Sequence, residues 1–117
     1  MQIGKEQGAT LRCGGERATG GALDNGYFFQ PTIFTNVTAG SRLEQEEIFG
    51  PVLAVIQVAS VDEAFAVNNG VRYGLSSSVY TSNVNVAFQA LQDLDNGITY
   101  VNAPTIGAEA HLPFGGV

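Results

Sequence analysis

The segment with the clearest chemical potential is 46–51, which reads Glu-Glu-Ile-Phe-Gly-Pro. Glu47 supplies a carboxylate, Phe49 supplies a flat apolar ring, and Gly50-Pro51 ends the segment directly before an apolar run. A carboxylate accepts hydrogen bonds from sugar hydroxyls, and an aromatic face packs against a neighbouring ring. The spacing therefore predicts a grip on a ribose and the ring beside it. A structural alternative is a solvated glutamate at a helix end and a core phenylalanine.

The elements that must position this segment predict an α/β fold. Short strands at 8–15 and 27–37, and a short helix from Arg42 behind a capping box at Ser41, precede it. The elements that follow are strand Val52–Val58, a helix capped by Ser60, strand Leu75–Tyr80, a helix capped by Asn83, and strand Ile98–Asn102.

Two of these patterns carry more detail. Val52–Val58 is almost continuously apolar, which predicts a strand buried on both faces. Val84, Ala87, Phe88 and Leu91 follow helical spacing. Strand-helix-strand-helix-strand over 52–102 favours a mostly parallel sheet. We expect residues 1–117 to form a single partial domain.

Composition narrows the classes of partner and location. The chain has 117 residues and a net charge of −6, with 44% hydrophobic and 14% charged residues. The absence of a basic stripe argues against nucleic acid and anionic membranes as partners. No apolar run reaches the length of a membrane span, and the N-terminus lacks the pattern of a signal peptide. The single cysteine, Cys13, rules out an internal disulfide and fits a reducing compartment. We expect a cytoplasmic protein.

The other reactive residues, Cys13 and His111, do not by themselves indicate a catalytic or metal site. Cys13, in Leu-Arg-Cys-Gly-Gly, is interpreted as structural. His111 is the only histidine, so a hydrolase on this chain would have to use it with Cys13 or a nearby serine. One histidine and one cysteine do not provide the spacing of a tetrahedral metal site, and we predict none.

Five blocks in order extend the pattern around Glu47. They are Gly-Tyr-Phe-x-x-Pro-Thr at 26–32, Glu-Ile-Phe-Gly-Pro at 47–51, Tyr-Gly-Leu at 73–75, Gly-Ile-x-x-Val-Asn at 97–102, and Pro-Phe-Gly-Gly at 113–116. In type, order and spacing they resemble the C-terminal portion of the catalytic region of the aldehyde dehydrogenase superfamily. The resemblance runs from about Gly8 to the last residue.

The resemblance implies site residues. Glu47 would bind the nicotinamide ribose of NAD or NADP, with Phe49 beside it and Leu75 as an apolar contact. The loop 105–112 would line the substrate tunnel, whose inner end Asn102 and Phe114 would flank. Its pattern is similar to that of the branches that oxidise semialdehydes, and its expected substrate-binding residues are Ile106, Gly107, Ala108 and Glu109.

The resemblance also implies a reaction. A complete enzyme would form a thiohemiacetal at a cysteine, transfer hydride to the nicotinamide and release a carboxylic acid. The family's nucleophile block is missing here, so we assign no catalytic residue and expect the isolated chain to be inactive as a dehydrogenase. The cofactor (NAD or NADP) and the aldehyde stay open. The alternatives are an inactive, self-associating structural module and a small esterase or hydrolase that uses His111. We expect a homo-oligomer.

Overall fold

The computed structural model describes residues 1–107 and 110–117, which form two compact units, 1–57 and 58–117. The single partial domain expected from the sequence stays a prediction. Among the described residues, no helix is both long and apolar enough to cross a membrane.

The first unit is a three-stranded sheet with short helices. Strand β2 is central, antiparallel to β1 and parallel to β3. Its elements are α1 (Gln2–Glu6), β1 (Thr10–Cys13), a 3-10 helix (Gly21–Asn25), β2 (Thr32–Thr35), α2 (Arg42–Gln45) and β3 (Val52–Ala54). The strands predicted within 8–15 and 27–37 are therefore present, and both are shorter than their apolar patterns.

The core of this unit lies on one face of β3. Phe34 is fully buried, and Val52, Ala54 and Ile56 pack against the cluster that it forms. Leu53 points the other way and is 56% exposed. The prediction of a strand over Val52–Val58 with both faces buried is thus wrong within this chain, because no layer of the unit covers the second face.

The two capping boxes behave differently. The Ser60 hydroxyl accepts a hydrogen bond from the Glu63 backbone N–H at 3.1 Å, as the pattern predicts. At α2 the Ser41 hydroxyl is buried and has no hydrogen-bond partner among the described residues. The Glu44 carboxylate instead accepts from the Gly40 backbone N–H at 2.9 Å. In the Ser41 capping box, only the side chain of Glu44 therefore forms a hydrogen bond at the start of α2.

The second unit carries the remaining alternation of helices and strands. Its elements are α3 (Val61–Asn69), β4 (Ser76–Val79), α4 (Val84–Asp93) and β5 (Ile98–Val101), and β4 and β5 are parallel neighbours. With β3, they give the predicted order of strand, helix, strand, helix and strand. Strand β3 hydrogen-bonds within the first sheet, whereas β4 and β5 form a sheet of their own.

Helix α4 turns its apolar stripe outward. Asn83 caps it, with its side-chain oxygen 2.9 Å from the Asn85 backbone nitrogen, and Ala90 is fully buried. Val84, Phe88 and Leu91 are 61%, 69% and 54% exposed. The helix begins where the sequence predicts, but helical spacing did not reveal that this stripe faces away from the unit's own core.

Candidate functional site

The segment between α2 and β3 holds Phe49 in an unusual conformation. Its φ is 52°, in the left-handed region that a non-glycine residue rarely adopts, and its side chain is 92% exposed. The Val52 backbone N–H donates to the Gly50 carbonyl at 2.7 Å, which tightens the chain just after the ring. A strained backbone that presents an exposed aromatic ring is typical of binding sites.

Two pockets flank this segment in the first unit and share Met1 and Ile48 as lining residues. Phe49 lines the larger, of about 340 Å³, together with Tyr27 and Phe29. Glu47 lines the smaller, of about 150 Å³. The predicted carboxylate and ring therefore line neighbouring pockets. Two glutamates and Arg42 are among the lining residues of the smaller pocket, and three aromatic side chains are among those of the larger.

The charges beside Glu47 leave its carboxylate available. Arg42 also lines the smaller pocket, and its Nε and Nη2 donate to the two carboxylate oxygens of Glu46 at 2.6 and 2.8 Å. This hydrogen bonding, and then the charge of Glu46, raises the pKa of the Arg42 guanidinium. Across residues 1–107 and 110–117, the Glu47 carboxylate has neither a hydrogen bond nor an ion pair. It can accept hydrogen bonds from a ligand.

In the second unit, glycines bring the terminal segment against the start of β4. The carbonyl of Gly115 lies so close to Gly97 that a Cβ there would overlap it. A Cβ at Gly116 would lie 3.3 Å from the Gly74 carbonyl oxygen and 3.5 Å from the Leu75 nitrogen. The predicted contacts Leu75 and Phe114, which are 45% and 71% exposed, thus stand on backbone segments that touch.

Asn102 directly follows β5, has a φ of 54° and makes contacts that its sequence pattern did not predict. Its side chain donates to the Thr81 carbonyl at 2.9 Å and accepts from the Thr81 N–H at 2.8 Å. Beyond it, Ile106 is 86% exposed and Gly107 has a φ of 88°. The predicted substrate contacts Ala108 and Glu109 lie outside the described residues.

Among the described residues, the other reactive side chains form no catalytic cluster. The Cys13 thiol is exposed and donates to the Pro31 carbonyl at 3.7 Å, and its structural role stays a prediction. His111 is exposed, and no hydrogen bond joins it to a described serine or cysteine. In the described part of the chain, no group of three His, Cys, Asp or Glu side chains could hold a metal ion.

The comparison with protein families decides how these residues are interpreted. The model of the aldehyde dehydrogenase family matches residues 1–117. The chain belongs to the aldehyde dehydrogenase family. The resemblance of the five sequence blocks to that family is thereby confirmed.

Curated relatives place the chain among longer members of the aldehyde dehydrogenase family. It is 45% identical over 117 residues to the alpha-ketoglutaric semialdehyde dehydrogenase of Bacillus subtilis, covering 100% of this chain and 24% of that protein. The chain thus spans about a quarter of the length of the curated relatives it matches.

Solved aldehyde dehydrogenase structures contain the same fold. A 1-pyrroline-5-carboxylate dehydrogenase from Thermus with bound NAD matches with a TM-score of 0.91 and 41% identity, over 99% of this chain and 22% of that one. An aldehyde dehydrogenase of Mycobacterium tuberculosis complexed with NAD+ matches with a TM-score of 0.89 and 40% identity, over 99% and 23%. The predicted α/β class is confirmed.

Sequence reasoning missed two kinds of residue near these sites. Arg42 stands four residues before Glu46, a spacing that predicts a helix-surface ion pair and could have revealed it. Thr81 carries no such signal, because its partner Asn102 is 21 residues away and the contact requires β4 and β5 to be paired.

Proposed function

We propose that this chain is part of an NAD(P)-dependent aldehyde dehydrogenase that oxidises a semialdehyde to a carboxylic acid. The observation that carries the proposal is the Glu47 carboxylate, which has no partner among the described residues and stands two residues before the exposed Phe49 in the family's Glu-Ile-Phe-Gly-Pro block. The solved Thermus and M. tuberculosis relatives, which contain bound NAD, support the same cofactor here.

The residues of the first unit fit a nucleotide ribose. Glu47 accepts hydrogen bonds from two neighbouring hydroxyls, since a carboxylate has acceptor positions on both oxygens. Phe49 offers a flat apolar face to the ribose and to the ring beside the ribose. The strained backbone of Phe49 holds that face out of the core. When bound, NAD(P) supplies the hydride acceptor. We propose Leu75, in the second unit, as a further apolar contact of the cofactor.

The residues of the second unit fit an aldehyde with an extended chain. Ile106 and Phe114 are exposed apolar side chains, and the backbone of Gly107 has a positive φ. We propose that the loop 105–112, including Ala108 and Glu109, borders the aldehyde, with Asn102 at its base. The semialdehyde branch is supported by the 45% identity to the B. subtilis alpha-ketoglutaric semialdehyde dehydrogenase. We assign the nucleophile to no residue of this chain and expect its isolated form to oxidise no aldehyde.

Calorimetric titration of the purified chain with NAD and with NADP tests the cofactor site. Glu47→Ala should weaken binding about ten- to a hundredfold, since a hydrogen bond to a charged group is worth about 1.5–3 kcal/mol. Glu16→Ala is the matched control, because Glu16 is another exposed carboxylate of the same unit, and should bind like wild type. Equal affinity in wild type and Glu47→Ala would refute the ribose contact.

A second candidate is a self-associating structural module, and the exposed stripe on α4 favours it. Val84, Phe88 and Leu91 are more than half exposed, and a contiguous apolar patch of this kind is typical of an interaction surface. Sedimentation velocity over a concentration series should then show oligomers. A chain that stays monomeric at high concentration and binds NAD would leave only the dehydrogenase proposal. The cytoplasmic location and the homo-oligomer stay predictions.

A further inference from the structure

The side chain of Asn102 extends the hydrogen-bond ladder between β4 and β5 beyond the point where the backbone of β5 ends its own pairing. The last backbone rung joins the Asn102 N–H to the Val79 carbonyl at 2.9 Å. The chain then turns away with a φ of 54° at Asn102. The Asn102 carboxamide has the donor and acceptor of a peptide group, and it pairs with both polar backbone groups of Thr81. The residue thus fixes the point and the direction in which the chain departs from β5.

Further contacts hold the segment that departs. The Ser78 hydroxyl donates to the Ala103 carbonyl at 2.6 Å, and the Tyr100 hydroxyl donates to the Gly107 carbonyl at 3.2 Å. Pro104 restricts the backbone between these anchors. Segment 103–107 is therefore fastened at both ends, while Ile106 within it stays 86% exposed. Such an arrangement holds one exposed apolar side chain between two anchored residues.

We propose that Asn102 is a positioning residue that sets where segment 103–107 presents Ile106 to the aldehyde. This deepens the proposed function and rests on it. The Asn102 amide already uses its oxygen and one N–H on Thr81, and we assign its effect on the substrate to the segment that it positions rather than to direct contact. Ser78 supports the same departure point.

The test uses Asn102→Gly, which permits the positive φ without strain and removes the side-chain amide together with its Cβ. In this 117-residue chain, exchange of the Thr81 backbone amide hydrogen should accelerate about tenfold, because its acceptor is lost. In the full polypeptide that contains the chain, KM for the aldehyde should rise about ten- to a hundredfold, since a misplaced positioning group acts on substrate alignment. KM for NAD(P) should stay within about twofold of wild type.

Asn36→Gly is the matched control. Asn36 also directly follows a strand and has a φ of 54°, but its amide donates to the Thr10 hydroxyl in the first unit. It should leave Thr81 exchange and both KM values unchanged. Ser78→Ala, which removes one hydroxyl, should raise KM for the aldehyde in the same direction and by less.

The outcomes separate this inference from the function on which it rests. Unchanged Thr81 exchange in Asn102→Gly, or faster exchange with an unchanged KM for the aldehyde in an active enzyme, overturns the positioning role alone. A full wild-type polypeptide that reduces no NAD(P) with any aldehyde overturns both proposals. A selective rise in KM for the aldehyde, absent from Asn36→Gly, establishes the role.

Discussion

The carbonyl of Gly115 rests directly on Gly97, in space that any side chain at Gly97 would fill. The Gly97 N–H also donates to the Gly74 carbonyl at 2.9 Å, so the residue cannot move away without breaking a rung at the start of β5. The terminal segment that carries Phe114 is thus seated by backbone contact at Gly97, and the Val117 side chain of the same segment lies against Gly74.

Gly97→Ala should therefore destabilise the chain by about 1–3 kcal/mol, the usual result of overpacking a tight contact. Urea unfolding measures this change. Gly115→Ala is the control on the opposite side of the same contact, because a Cβ at Gly115 would meet no atom within 4 Å. Equal stabilities for the two variants would show that the segment shifts freely.

Substitutions at Phe49 should affect the stability of the chain and its NAD binding differently. Its ring is 92% exposed, so its removal forfeits little packing, whereas its φ of 52° strains every residue except glycine. We expect Phe49→Gly to be more stable than Phe49→Ala by about 1 kcal/mol, measured by urea unfolding. Both variants should bind NAD more weakly than wild type in calorimetry. A less stable Phe49→Gly would contradict the strained backbone.

The two capping serines should respond in opposite ways. Ser60→Ala removes the acceptor of the Glu63 N–H and should destabilise the chain by about 1 kcal/mol. Ser41→Ala removes a buried hydroxyl that has no hydrogen bond among the described residues, so the free energy of unfolding should be unchanged or higher. Thermal unfolding of the pair, compared with wild type, checks the contrast. A large loss of stability in Ser41→Ala would point to a partner of its hydroxyl.

Phe88 tests the apolar stripe of α4. If the stripe mediates self-association, Phe88→Glu should lower the mean sedimentation coefficient at high concentration, because it places a charge in a dry interface. The melting temperature of the monomer should change little, since the ring is 69% exposed. Tyr80→Glu alters another exposed aromatic of the same unit, 67% exposed, outside the stripe. The same effect from both substitutions would remove the stripe's special role.

The features that the sequence predicted depend on neighbouring residues, and those it missed depend on distant ones. Ser60 and Asn83 cap their helices as expected because each capping oxygen lies within three residues of the backbone N–H that donates to it. Exposure of Leu53 and of the α4 stripe escaped prediction, since periodicity identifies an apolar face but not what covers it. The Asn102–Thr81 pair joins residues 21 positions apart and needs the finished sheet.

Some features of the candidate site could be predicted from the sequence, and others required the structure. The acid and ring of 46–51 could be named from residue type and spacing, and the structure gives them neighbouring pockets. The left-handed backbone of Phe49 had no sequence signal, because phenylalanine rarely adopts it. The availability of Glu47 also required the structure, since it depends on Arg42 bonding to Glu46 instead.

The pairing register of strand β4 against β5 depends on polar side chains. Ser76, Ser77 and Ser78 offer no alternation of apolar and polar residues, and such strands are prone to slip by one residue against their neighbour. The Ser77 and Thr99 hydroxyls stand opposite each other at 3.2 Å, and the Asn102–Thr81 pair closes the far end. A slipped pairing would lose both contacts at once. Hydroxyl and amide groups therefore favour the native register of these two strands. In most sheets the hydrophobic pattern sets the register.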